Sequence, residues 1–149
     1  MIRPVSNRDI PQCVLLGAAM HKESRYAHLD FSVPKVVNMI ETIITSDDWC
    51  GFVAEKDHNL IGFAAGYVMP HFFGDDLTSG DLAIYVSKVH RGGMLGVKLV
   101  KAYVAWCEAK GVKEPMLGVS AGITPERTGQ LYERMGFTEK YCIYKKPSV

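Results

Sequence analysis

Residues 91–96 read Arg-Gly-Gly-Met-Leu-Gly and lie between a strand-like run and an amphipathic, helix-like run. The start of a helix presents unpaired N–H groups and a partial positive charge. Glycines let that backbone approach a ligand with no Cβ in the way. Arg91 adds a permanent positive charge. Arg91, Gly92, Gly93, Met94, Leu95 and Gly96 together suit a diphosphate. They equally fit a tight strand-to-helix turn with an incidental arginine. The turn is not a Walker loop, because no Gly-Lys-Ser/Thr follows. Nor is it the dinucleotide fingerprint: the glycine spacing differs, and no strand with a ribose-binding acid follows at the expected distance.

Other reactive side chains are dispersed. Cys13, Cys50, Cys107 and Cys142 form no CxxC pair. They read as reduced, mostly buried thiols of a cytosolic, hence cytoplasmic, protein. No two share the spacing of zinc ligands, and the five histidines are scattered, so no metal is expected. His21 and His28 are one heptad apart, but the intervening Lys-Glu-Ser-Arg-Tyr-Ala leaves the helix.

The elements that must position the glycine turn follow from periodicity. Residues 2–5 are short and extended. Ser6 or Asn7 can cap a helix, with Asp9 in its first turn, Pro11 tolerated there, and Val14, Leu15 and Ala18 on its apolar side. A second helix starts at Ser32, and Val36, Val37, Ile40, Ile43 and Ile44 recur at helical spacing. Residues 49–55 and 60–69 are strand-like and joined by a Lys-Asp-His-Asn turn. Residues 70–80 read as a loop and 81–87 as a strand. The helix from about Gly93 to Gly111 places Leu99, Val100, Tyr103 and Cys107 on one face. Residues 115–120 form a short apolar strand. Thr124-Pro125-Glu126 starts a helix with a capping hydroxyl and ends it at Gly136, and residues 138–146 close the chain as a strand. The expected order is β-α-α-β-β-β-α-β-α-β. The fold class is α/β (α+β), a mixed sheet with helices on both faces.

At 149 residues the chain is one domain, spanning 1–149, with room for a real core. Its formal charge of +1 offers no field for nucleic acid or a membrane surface. The N-terminus has no signal-like apolar run, and no segment reaches the roughly 20 apolar residues of a membrane span.

The element order, the Arg91–Gly96 turn and a late Leu-Tyr-Glu-Arg-Met-Gly-Phe at 131–137 resemble the GNAT superfamily of acetyl-CoA-dependent N-acetyltransferases. The resemblance covers nearly the whole chain. It implies a sheet of about six to seven strands and a turn of the form R/Q-x-x-G-x-G/A that cradles the coenzyme A pyrophosphate. Arg91 and Gly96 match that form, and Met94 stands where the family has glycine. Pro125 and Thr128 stand where the family carries asparagine and often alanine ahead of the tyrosine. Dimers are common in the family, so a homodimer is compatible with the resemblance.

Acetyl transfer to an amine needs a proton acceptor, a donor for the carbonyl oxygen and help for the leaving thiolate. The resemblance makes Tyr132 the acid facing the cofactor sulfur; a core tyrosine with a surface hydroxyl is the alternative. It also implies that Val86 and Ser87 bind cofactor through main chain, where the strand splays from the next one. Asp81 is the first candidate for the base, acting through water, and a strand-start aspartate is the alternative. Glu23 and His71 are further candidates, and an amine arriving partly neutral needs no dedicated base. Asp75, Asp76, Asp81 and Glu23 would attract a cationic amine, and His71, Phe72 and Phe73 would line its pocket or pack beneath the loop.

The implied function is direct acetyl transfer from acetyl-CoA to a primary amine of a small molecule or protein in a ternary complex, with no covalent intermediate. The other readings are a non-catalytic acyl-CoA-binding or assembly module on the same fold, and a phosphate-binding nucleotide domain.

Overall fold

The second strand alternates its side chains between two helical layers. Cys50, Phe52 and Ala54 point to one face of the sheet and Val53 to the other. The computed structural model describes residues 1–119 and 121–147. Four strands, β1 (Ile2–Pro4), β2 (Trp49–Lys56), β3 (Asn59–Pro70) and β4 (Leu77–Val86), form an antiparallel sheet in the order β1-β2-β3-β4. The helices are α1 (Ile10–Glu23), α2 (Val33–Thr45), α3 (Leu95–Ala109) and α4 (Pro125–Arg134).

Helices α1 and α2 cover one face, where Cys13 and Ile40 pack against Val53 and Leu60. Helix α3 covers the other, placing Leu99 against Ala54, Ile61 and Ala64, and Tyr103 and Cys107 against Cys50 and Val68. Leu99, Val100, Tyr103 and Cys107 are the residues whose spacing predicted one apolar face, and all four are buried. Burying side chains of this size contributes about 1.5–3 kcal/mol each. A Cβ at Gly66 would overlap the Tyr103 ring, so the close approach of α3 to β3 requires glycine there.

Two predicted strands are absent among the described residues. The observed order is β-α-α-β-β-β-α-α, and the sheet has four antiparallel strands instead of the six to seven mixed ones expected. Residues 115–119 do run beside β4, but β4 side chains take their amides: Met116 N–H donates to Ser79 Oγ at 3.1 Å and Gly118 N–H to Asp81 Oδ1 at 2.7 Å. A side chain interposed at each step holds the two backbones too far apart for a ladder. Ser120, the last residue of that predicted strand, lies outside the described residues. Residues 138–146 pair with no strand, and Tyr141, Ile143 and Tyr144 are exposed.

Smaller differences have local causes. Strand β4 begins at Leu77, inside the predicted loop, because residues 77–80 pair with 67–70 of β3. Residues 7–9 form a 3-10 turn before α1, and the Asp9 carboxylate accepts from both Ser6 N–H and Ser6 Oγ. Ser32 caps α2 as expected, accepting from Lys35 N–H. Thr124 does not cap α4: its backbone is left-handed (φ 42°), and its hydroxyl makes no cap bond.

Candidate active site

The turn between β4 and α3 is assembled by Arg91. Its Nε donates to the Val86 carbonyl at 2.9 Å, folding the loop back onto the end of β4. Nη1 and Nη2 reach Glu23 at the end of α1 at 2.9 and 2.8 Å, and the Tyr85 hydroxyl donates to the same carboxylate. The guanidinium also lies over the Tyr85 ring, 5.3 Å from its centroid. Three of the five guanidinium N–H donors are thus engaged, and two remain. The Arg91 hydrogen bonds hold Glu23 below the usual carboxylate range. That makes Glu23 a weak proton acceptor and ties it to a structural role.

Beyond Arg91 the main chain is unusually free. Gly92 adopts φ +95°, which favours glycine, and nothing lies within 4 Å of a Cβ placed on Gly93. Helix α3 starts with no side-chain cap, and its first turn closes through Lys98 N–H to the Met94 carbonyl. Among the described residues, none of the main-chain N–H groups of 91–97 donates to a protein acceptor. Met94 is exposed and lines the same cleft as the neighbouring amides. The Arg127 guanidinium, at the start of α4, lies 3.9 Å from where a Gly92 Cβ would sit. Unpaired N–H groups flanked by two guanidinium groups form an anion cradle.

The edge of β4 leads from this cradle to the predicted catalytic pair. Ser87 N–H donates to Ile61 O at 2.8 Å, so its main-chain amide belongs to the sheet. Its hydroxyl is shared with His90 Nδ1 at 2.7 Å. By alternation, the Val86 N–H and carbonyl point away from β3 towards the open edge. Leu82 is the extra residue of a bulge, since Asp81 faces Gly66 and Ala83 faces Ala65. The bulge turns this part of β4 outwards.

Asp81 and Tyr132 meet at Gly118. Asp81 Oδ1 accepts Gly118 N–H, and the Tyr132 hydroxyl donates to the Gly118 carbonyl at 3.3 Å. Burial raises the Asp81 carboxyl above the usual range, opposed by the Gly118 N–H. Burial first, and the Asp81 charge second, raise the Tyr132 phenol, so it keeps its proton at neutral pH. Both side chains, the 91–97 turn, Val86 and Arg127 line one cleft of about 820 Å³.

Several candidates lie elsewhere. Asp76 pairs with Lys113 on the surface, and His71, Phe72 and Phe73 stack on one another, with both phenylalanines exposed. Neither these residues nor Asp75 line the cleft. Cys13 does line it, but burial pushes its thiol up to about 11, so it is not a thiolate. Arg127 and Gly118 were not singled out from sequence. Neither sits in a recognisable spacing, and each gains its position only through tertiary packing.

The family model described as "Acetyltransferase (GNAT) family" matches residues 18–137. The chain belongs to the GNAT acetyltransferase family. Its fold is shared with solved structures of low identity. A ribosomal-protein-alanine N-acetyltransferase from Brucella melitensis biovar Abortus 2308 is 20% identical, with a TM-score of 0.72 and 99% of each chain covered. The aminoglycoside acetyltransferase AAC(6')-Iy, solved with a CoA-containing bisubstrate analog, is 20% identical, with a TM-score of 0.76, covering 99% of this chain and 98% of that one. A transcriptional regulator from Bacillus halodurans C-125 is 16% identical, with a TM-score of 0.80 and 99% of each chain covered. No curated protein sequence matches the chain.

Proposed function

We propose that this protein is an N-acetyltransferase that binds acetyl-CoA as co-substrate and passes its acetyl group directly to a primary amine. The observation that carries this reading is the run of unpaired N–H groups at 91–97, opening into the same cleft as Asp81 and Tyr132. The amides of Gly92 to Gly96, with Arg91 and Arg127, hold the diphosphate. Val86 offers its outward main chain to the pantetheine and its N–H to the thioester carbonyl oxygen.

The acceptor nitrogen attacks the carbonyl carbon, a C–N bond forms and the C–S bond breaks. Asp81, through its second carboxylate oxygen and a water, takes the proton the amine loses. Tyr132 donates its phenolic proton to the departing thiolate and regains one through water as Asp81 gives up the proton taken from the amine, so the products are amide and CoA thiol with both side chains returned to their starting forms. A thiol pKa near 8.5 makes that donation a modest contribution.

The neighbouring structures named for ribosomal-protein and aminoglycoside acetylation support an amine acceptor in general terms. Calorimetric titration with CoA, followed by thiol release from acetyl-CoA over a panel of amines, tests the proposal. Micromolar CoA binding and amine-dependent thiol release are expected. Binding with no turnover on any amine would leave a non-catalytic acyl-CoA module, and stabilisation by ATP in place of CoA would remove the reading altogether.

A further inference from the structure

The cleft has two unlike halves. The half formed by the 91–97 turn and α4 carries Arg91, Arg127 and Arg134. The half between α1, α2 and β4 is lined by Met20, Tyr26, Phe31, Val36, Met39 and Leu82. Among the described residues lining the whole cleft, Asp81 is the one carboxylate, and its Oδ1 is already bonded to Gly118 N–H. Glu23, Asp75 and Asp76 lie outside the lining.

The apolar half is built. The 24–31 connection contributes Tyr26 and Phe31 to its lining and is tied at both ends. His21 Nε2 bonds the Leu29 carbonyl at 2.8 Å, and its ring packs on Phe31 with centroids 5.3 Å apart. Arg25 N–H donates to the Ala121 carbonyl at 2.8 Å, fastening the connection to the loop ahead of α4.

We infer that the acceptor is an amine carried on an apolar or aromatic body with a single positive charge, and that polycationic amines are disfavoured. The inference rests on the acetyltransferase reading above and names the substrate class of that site. A polycation entering this cleft would leave its water for a wall with one carboxylate, Asp81, beside Arg127 and Arg134, with Arg91 already paired to Glu23, and each extra charge would go unpaired. An aromatic amine buries its body against the methionine and aromatic side chains instead. The same surroundings favour the neutral amine over the ammonium, because desolvation penalises the charged form. This lightens the task of Asp81.

The experiment is a comparison of kcat/KM for 2-phenylethylamine, n-butylamine, spermidine and kanamycin, with acetyl-CoA affinity measured separately by calorimetry. At least a tenfold preference for 2-phenylethylamine over spermidine and kanamycin is expected. Met39→Glu and Val36→Glu, which place a carboxylate in the apolar half, should narrow or reverse that preference while acetyl-CoA affinity stays within twofold. The wild-type ranking decides the matter even where a variant does not fold. With acetyl-CoA binding intact, a preference for either polycation, or no turnover of either apolar amine, overturns the inference. Absence of acetyl-CoA binding overturns the acetyltransferase reading itself.

Discussion

Tyr132 and Asp81 hold one residue from opposite sides: the tyrosine hydroxyl donates to the Gly118 carbonyl, and the aspartate accepts the Gly118 N–H. The first side chain comes from α4 and the second from β4, so the two candidate catalytic groups share a mechanical link. Their protonation is linked as well. The Asp81 charge helps to keep the Tyr132 proton in place, and burial favours the protonated form of both groups. A phenol that keeps its proton beside a carboxylate that can take one up is an acid and base arrangement for a single cleft.

Tyr132→Phe removes the phenolic proton and one long hydrogen bond. We expect kcat for acetyl transfer to fall about 10- to 100-fold, towards the lower end of what acid catalysis supplies because a thiolate leaves readily. The KM for acetyl-CoA should stay within threefold, and stability should drop by about 1 kcal/mol or less. Steady-state kinetics and urea unfolding measure both. An unaltered kcat would return Tyr132 to the core-tyrosine role.

Asp81→Asn retains an oxygen for the Gly118 N–H and removes the base. Wild-type activity should fall on the acid side as Asp81 takes up a proton, at a pH above the ordinary carboxylate range because its pKa is raised. In the variant kcat should be lower and that acid limb absent. The stability sign is opposite to the usual carboxylate case. A raised folded pKa means the folded state binds the proton more tightly, so this contribution is full below the unfolded pKa and is lost as pH rises through the folded one. The variant should therefore be no less stable than wild type at neutral pH. A pH–rate profile of the same shape in both proteins would exclude Asp81 as the base.

The parts of this molecule that are local in sequence were legible, and those made by distant contacts were not. The apolar spacing of Leu99, Val100, Tyr103 and Cys107 placed α3, because one helix face meets one sheet face. The 91–96 turn was visible because its amides are contiguous. Residues 115–120 and 138–146 have strand-like patterns, yet pattern does not supply a partner edge: Ser79 and Asp81 side chains intercept the first, and nothing in the sheet takes up the second. The Glu23–Arg91 pair joins residues 68 positions apart, so no spacing rule could reveal it. The same holds for Gly118, whose importance lies in what grips it.

Asp9 offers a stability prediction away from the cleft. Its carboxylate receives Arg3 Nη1 and Nη2 at 2.8 Å each and two bonds from Ser6, with its side chain only 4% exposed. The Arg3 hydrogen bonds hold its pKa well below the usual range. Its stabilisation is therefore present above the unfolded value of about 4 and is lost as pH falls towards the folded value. Asp9→Asn should cost about 2 kcal/mol at pH 7, since Arg3 keeps Glu55 as a partner. Between pH 6 and pH 3 the urea midpoint of wild type should fall more than that of the variant. Parallel curves would show that Asp9 titrates alike in both states.

Arg91 and Glu23 form the pair whose roles separate most cleanly by a mutant cycle. If the guanidinium serves the diphosphate, Arg91→Ala should weaken CoA binding about 10- to 30-fold and leave binding of pantetheine, which lacks the diphosphate, unchanged. Glu23→Gln removes the carboxylate that competes for the same donors, so CoA should bind a few-fold more tightly. That gain depends on the guanidinium, so the double variant should bind CoA as Arg91→Ala does, a coupling that additive effects would not produce. Calorimetric titrations at two salt concentrations read every corner of the cycle, with the steeper salt dependence expected where Arg91 is present. Equal losses for CoA and pantetheine would mean that Arg91 acts only by bracing the Val86 carbonyl and the end of α1. The diphosphate would then rest on the unpaired amides and Arg127 alone.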